Sequence, residues 1–342
     1  MKAVLFVGHG SRLASGNEEV RHFIENMVPA LDESFLVETC FLEFAAPNIS
    51  KGIDNCVKRG ATEVIVIPII LLHAGHSKLH IPAEIEDGKT KYPEVKFTYG
   101  QTIGVHHDVL TILTDRLEEA GFDTNSEHAE TAILLIGRGG SDADANSDIF
   151  KISRLLWEKL NVKWVETAFM GVTDPHVDEG IERCIRLGAK KVVMLPYFLF
   201  TGVLMERMED MLKGYQEQYH DREFILAKYF GYHPTLQNIL QERVIEASEG
   251  KSSGARDLEN YRKHVEEHGH AHHHHHHDHD HDHDHDHDHD HDHDHDHDHD
   301  HDHHHDHAHH HDHDHDHHHD HAHHHDHDHH HDHDGQAVGT SK

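Results

Sequence analysis

The chain reads as an α/β protein of two similar doubly wound parallel-sheet domains, followed by a segment with nothing to fold around. Three observations predict this. Short β-branched apolar runs alternate with amphipathic stretches. The alternation occurs twice, one copy recognisable in the other. The last 79 of the 342 residues are almost wholly His and Asp.

The first strand, Ala3–Val7, is continuously apolar and runs into Gly8-His9-Gly10. A strand apolar on both faces belongs inside a parallel sheet covered on both sides. Phe35–Phe41, Glu63–Ile67 and Lys96–Tyr99 are the next strands, with helices near Gly16–Leu31, Asn48–Arg59, Ala83–Lys91 and Val105–Glu119. The order then recurs. Ala132–Ile136, Lys163–Thr167, Lys190–Leu195 and Glu223–Leu226 are strands, and Asp142–Leu160 and Gln237–Ala247 the clearest helices of that set. Residues 47–68, PNISKGIDNCVKRGATEVIVIP, align with 175–196, PHVDEGIERCIRLGAKKVVMLP, at an offset of 128 with 8 of 22 positions identical. LFVGHGS likewise pairs with LLIGRGG, and ETCFLEF with ETAFMGV. The domains expected are 1–125 and 126–250, joined near Asp123–Glu130, with a linker and tail over 251–342.

Composition separates body from tail. Residues 264–342 hold 42 of the 53 histidines and 22 aspartates, and residues 1–263 carry a net charge of about −11. So polar a tail cannot offset the entropy of ordering and is expected to be disordered. No apolar run approaches a membrane span, and the N-terminal one is too short for a signal peptide. The acidic body argues against nucleic acid. The expectation is a monomeric cytoplasmic protein. Cys40, Cys56 and Cys184 form no Cys-x-x-Cys, so neither a disulfide framework nor a thiolate metal or iron–sulfur site is supported. The repeated Cys56 and Cys184 read as small apolar helix positions facing the sheets.

Comparing the copies separates scaffold from chemistry. His9 after the first strand is matched by Arg138, Glu43 after the second by Gly171, and His76 after the third by Val203 or Leu204. Three metal-capable side chains thus sit at the carboxyl ends of three strands in one copy, and all are replaced in the other. Each alone has a simpler reading: a turn hydrogen bond for His9, a helix cap for Glu43, an ordinary loop position for His73, His76 or His80. Together, two imidazoles and a carboxylate suit a divalent ion such as Co²⁺, Fe²⁺, Ni²⁺ or Zn²⁺. His73 and His80 flank His76 at helical spacing, as auxiliary ligands or as solvated neighbours.

VGHGS, the CFLE ahead of Pro47 and PIILLHAGHSKLHIP resemble the class II chelatases that insert a metal into sirohydrochlorin, in their long two-domain form. IGRGGSDADANSD and LPYFLFTGVLMERM extend the resemblance over residues 1–247. It implies two similar domains facing across a cleft, with catalysis in the first. His9 and His76 would be the metal-binding, proton-accepting histidines and Glu43 their acidic partner. Some long forms carry a Cys-x-x-Cys before the histidine tail. This chain has none, so no iron–sulfur cluster or other permanent cofactor is expected. Co²⁺ would be the substrate metal, for the anaerobic route to cobalamin, with Fe²⁺ the alternative.

The residue types fit. Sirohydrochlorin is a planar tetrapyrrole with eight carboxylates, and metal insertion releases two pyrrole N–H protons. Imidazole can hold the ion and accept a proton near neutral pH. Gly137-Arg138-Gly139-Gly140 lacks the P-loop lysine, so insertion without ATP is expected. Arg138, with Arg12 and Lys78 behind it, is the candidate for the substrate carboxylates, against the alternative of a solvated loop arginine. In the tail, histidines such as His272, His279 and His281 alternate with Asp as a multivalent chelator. The alternatives are the iron-inserting branch of the same class, and a metal-storage or metallochaperone protein. A two-lobed solute-binding protein is disfavoured by the lack of a signal peptide.

Overall fold

The computed structural model describes residues 1–269. The tail, with His272, His279 and His281 and the expected disorder beyond 269, lies outside them.

Each half carries a four-stranded, wholly parallel sheet. In the first, β1 (Lys2–Gly8), β2 (Phe35–Phe41), β3 (Glu63–Ile69) and β4 (Lys96–Tyr99) lie in the order β2-β1-β3-β4. In the second, β5 (His128–Gly137), β6 (Val162–Phe169), β7 (Lys191–Pro196) and β8 (Glu223–Leu226) lie in the order β6-β5-β7-β8. The helices are α1 (Ala14–Met27), α2 (Ile49–Lys58), α3 (Ile81–Lys91), α4 (His107–Glu119), α5 (Ala143–Lys159), α6 (Val177–Arg186), α7 (Val203–Gln218), α8 (Pro234–Ser248) and α9 (Gly254–His268).

Both faces of the sheets are buried, as the continuous apolar strands require. Ala3, Leu5 and Val7 of β1 point to an outer core with α2 and α3, where Cys56 is fully buried. Val4 and Phe6 point to a central core that also holds Ile133 and Leu135 of β5. Cys184 faces the outer core of the second sheet. The central core is shared through an exchange. α4 follows the first sheet yet touches β7, while α8 follows the second yet packs on β3 and β4. The boundary at residue 125 marks the repeat in sequence, whereas the packing joins the halves.

One stretch departs from expectation. Residues 254–268, read as linker and the start of the tail, form α9. Gly254 lies against the Tyr99 backbone, where a Cβ would fall 2.1 Å from the carbonyl oxygen, and Leu258 enters the outer core. Arg262 bonds Glu86 on α3 at 3.0 Å. One apolar anchor and several polar contacts hold it, a pattern too sparse for sequence periodicity to expose.

Candidate metal centre

In the first sheet the strand order reverses between β1 and β3, which opens a crevice at their carboxyl ends. His9 follows β1, Glu43 follows β2 and His76 follows β3, so topology alone brings them to one edge. One ligand atom from each lies within 4.8 Å of the others. His9 Nδ1 is 3.5 Å from Glu43 Oε1. The His9 and His76 rings meet edge to face, with centroids 4.8 Å apart.

The glycines around His9 are structural. Gly10 has φ +91°, and a Cβ there would sit 1.8 Å from the Glu43 carbonyl oxygen. Gly139 has φ +84° and the same relation to Gly171, at 2.0 Å. Glu43 N donates to His9 O, and Gly171 N to Arg138 O. In both halves, therefore, Gly-x-Gly lets two loops cross in contact. Only the middle residue differs, His9 in one and Arg138 in the other. These two then meet: Arg138 Nη1 donates to His9 Nε2 at 2.9 Å. Burial, reinforced by the charges of Arg138 and His76, lowers the His9 pKa to about 3. His9 is therefore neutral and ligand-competent across the physiological range.

His76 opens a π turn, His76–His80, that runs into α3. Its origin is an extra residue. Equivalent bonds, Gly104 N to Leu71 O and Gly231 N to Leu199 O, fix one end of the comparison. Tyr92 N to Gly88 O and Tyr219 N to Tyr215 O fix the other. The span Leu71–Gly88 is one residue longer than Leu199–Tyr215, and a π turn absorbs one residue in a helix. The second half starts α7 at Val203 without it. Buried Ser77 locks the turn: its Oγ donates to Ala74 O at 2.9 Å and accepts from Ala74 N at 3.0 Å. Tyr99 Oη donates to Ser77 O at 2.9 Å.

The remaining candidates divide. His80 joins the cluster through His76, with their Nδ1 atoms 2.8 Å apart. His73 stands outside the cluster, bonded to Ser77 Oγ at 3.1 Å and to Asp257 Oδ1 at 3.2 Å. The sequence left His73 as an auxiliary ligand or a solvated neighbour of His76, and both its ring nitrogens have partners away from His76. Lys78 crosses to the second half, where its Nζ donates to Asp142 at 2.6 Å and Asp144 at 3.4 Å. Partial burial lowers its pKa, but the bonds and charges of Asp142 and Asp144 together outweigh that and raise it. Asp142 caps α5, accepting from the Asp144 and Ala145 amides. Arg12 is exposed, stacked 5.1 Å from the Phe44 ring centroid. Phe44 escaped sequence reasoning. It is 45% exposed at φ +59° beside Glu43, and its repeat partner Val172 is 71% exposed at φ +70°. An apolar residue kept at both loop tips was the available signal.

The chain is similar to known proteins. A sirohydrochlorin cobaltochelatase of Priestia megaterium is 59% identical over 268 residues, covering 78% of this chain and 87% of its own. A sirohydrochlorin ferrochelatase of the same organism is 39% identical over 244 residues, covering 71% and 90%. The structure of SirB from Bacillus subtilis with Fe³⁺ matches with TM-score 0.64 and 34% identity, over 73% of this chain and 98% of that one. The sequence profile of the CbiX family matches residues 3–120 and 132–247, one stretch in each half. The chain belongs to the CbiX family.

Proposed function

We propose that the chain inserts Co²⁺ into sirohydrochlorin without ATP, with His9, Glu43 and His76 as the inserting group. The observation that carries this is the meeting of two imidazoles and a carboxylate at the crevice of the first sheet, with Arg138 of the second half facing them. His9 and His76 hold the ion by nitrogen and release it as the macrocycle nitrogens take their places. Glu43 and His76 accept the pyrrole protons, since a proton acceptor must lie within hydrogen-bond reach of the ligand edge. Phe44 and Arg12 give the loop tip an apolar and cationic face for a flat polycarboxylate.

Arg138 sets the order of binding. Its guanidinium covers His9 Nε2 and places a positive charge where a cation must arrive. A substrate carboxylate draws it away and neutralises it, so tetrapyrrole binding uncovers the ligand nitrogen. Lys78 is held by Asp142 and contributes less to substrate binding than its charge suggests.

Cobalt is favoured over iron because the relative at 59% identity is named a cobaltochelatase and the ferrochelatase stands at 39%. The 42 histidines of residues 264–342 would serve as a tethered metal reserve for the insertion centre. Anaerobic incubation of the full chain with sirohydrochlorin and either Co²⁺ or Fe²⁺, followed by absorbance, tests the reading. Faster insertion of Co²⁺ is the expected result. Faster Fe²⁺ insertion assigns the chain to sirohaem formation, and absence of insertion with either metal leaves metal storage.

A further inference from the structure

Gly10, at φ +91°, is a swivel directly after His9, because no side chain limits its backbone. Before the swivel the chain is tied to the neighbouring loop: Leu42 N donates to Gly8 O, and Glu43 N to His9 O. Beyond it, a single side chain does the tying. Asn17 Oδ1 accepts from Ser11 N at 2.8 Å, and Asn17 Nδ2 donates to Ser11 O at 2.8 Å. One amide, only 7% exposed, thus closes on both backbone groups of Ser11.

Asparagine is a poor residue inside a helix, because its side chain competes for backbone groups. Asn17 nevertheless lies within α1, and helix capping does not account for it. Leu13, the N-cap of α1, makes no side-chain bond, and the Asn17 amide turns to Ser11 instead. The second half repeats the device. Asn146 of α5 donates Nδ2 to Gly140 O at 2.7 Å, and six residues separate the partners in each half. There the helix start is already capped by Asp142, which accepts from the Asp144 and Ala145 amides. The asparagine is present whether or not a side chain caps the helix. What the two share is the Gly-x-Gly loop, with His9 in the middle of one and Arg138 in the middle of the other.

We infer that Asn17 is the positioning residue for His9, and Asn146 the positioning residue for Arg138. Each anchors the far side of a glycine swivel and so fixes where the middle residue of its loop points. The anchoring stands on the hydrogen bonds themselves; its kinetic consequence rests on the proposed insertion activity.

The test is a pair of alanine variants of the full chain, assayed anaerobically with sirohydrochlorin at saturating Co²⁺ and checked for folding by circular dichroism. A misplacement of about 1 Å can cost about a hundredfold, so Asn17→Ala should lower kcat at least about tenfold. Its KM for sirohydrochlorin should stay within about twofold of wild type. Asn146→Ala should do the reverse, raising that KM about fivefold at nearly unchanged kcat. Asn17→Asp has the same size, and its charge is tolerated near a helix N-terminus. It keeps the acceptor for Ser11 N and loses the donor to Ser11 O. It should show a smaller kcat loss, and it decides the matter where Asn17→Ala does not fold. An amide that merely stabilises the fold would leave both kinetic constants intact in the folded variants, and that result overturns the inference. The same kinetic change at both asparagines overturns it too. If the wild-type chain inserts no metal, the insertion reading fails and the crystal structure of Asn17→Ala decides. A His9 ring turned away from Arg138 upholds the anchoring, whereas a ring that keeps its 2.9 Å bond to Arg138 overturns it.

Discussion

The contact between His9 and Arg138 joins two residues that occupy the same position in the two copies. If Arg138 pairs with substrate carboxylates and uncovers His9, then Arg138→Ala should raise the KM for sirohydrochlorin about tenfold and lower kcat less. Steady-state kinetics read this directly, and a kcat loss at unchanged KM would contradict it. The lowered pKa of His9 has a consequence for stability. The folded state keeps the ring neutral down to about pH 3, whereas the unfolded chain protonates it near 6.5. As pH falls from 6.5 toward 3 the unfolded state therefore binds about one proton more, and this residue makes the fold progressively less stable. His9→Gln should flatten the slope of unfolding free energy against pH in that window by about one proton, measured by denaturant titration. His9, Glu43 and His76 were legible in the sequence because the second copy shows what the scaffold needs without them. The His9–Arg138 bond was not, because no local pattern encodes how two sheets face each other.

The π turn is the element that most separates the two copies. It rests on Ser77, whose buried hydroxyl serves Ala74 twice and His73 once. Ser77→Ala leaves the Ala74 amide and carbonyl without that partner and should cost about 1–3 kcal/mol, read as a lower denaturant midpoint. Insertion should slow more than stability alone accounts for, because His76 loses its fixed direction. Unchanged kinetics in a folded variant would show that the turn only fills space. Strands were read to within two residues at each end, since apolar runs between glycines mark them strongly, except that β5 begins at His128 rather than Ala132, in a polar, largely exposed lead-in. The π turn was not, because one extra residue leaves composition and periodicity nearly unchanged. For α9 the reason is different: its docked face offers one buried leucine, Leu258, among charged neighbours.

At the scale of the molecule, the exchange of α4 and α8 makes the two sheets depend on each other. Arg116 of α4 donates to the Phe230 carbonyl of the second half. Arg243 of α8 reaches back to the carbonyls of Thr102 and Ile103 at 3.1 and 3.0 Å, with Glu246 at 2.8 Å. Arg243→Met leaves the Thr102 and Ile103 carbonyls without this donor, while Glu246 keeps Gln101, and should cost about 3 kcal/mol. The fold should still unfold in one transition, since the central core spans both halves; two separate transitions would contradict the shared core. This arrangement sets Arg138 of the second half against His9 of the first, which under the proposed function places a cation opposite the ligands. The central claim is that insertion is performed by the first half's His9 and His76. Its most direct test is the anaerobic rate of cobalt insertion into sirohydrochlorin by His9→Ala and His76→Ala, at saturating Co²⁺ and with the fold checked by circular dichroism. Each variant should lose at least about a hundredfold in kcat with its circular dichroism unchanged. Near-wild-type turnover in both would contradict the account.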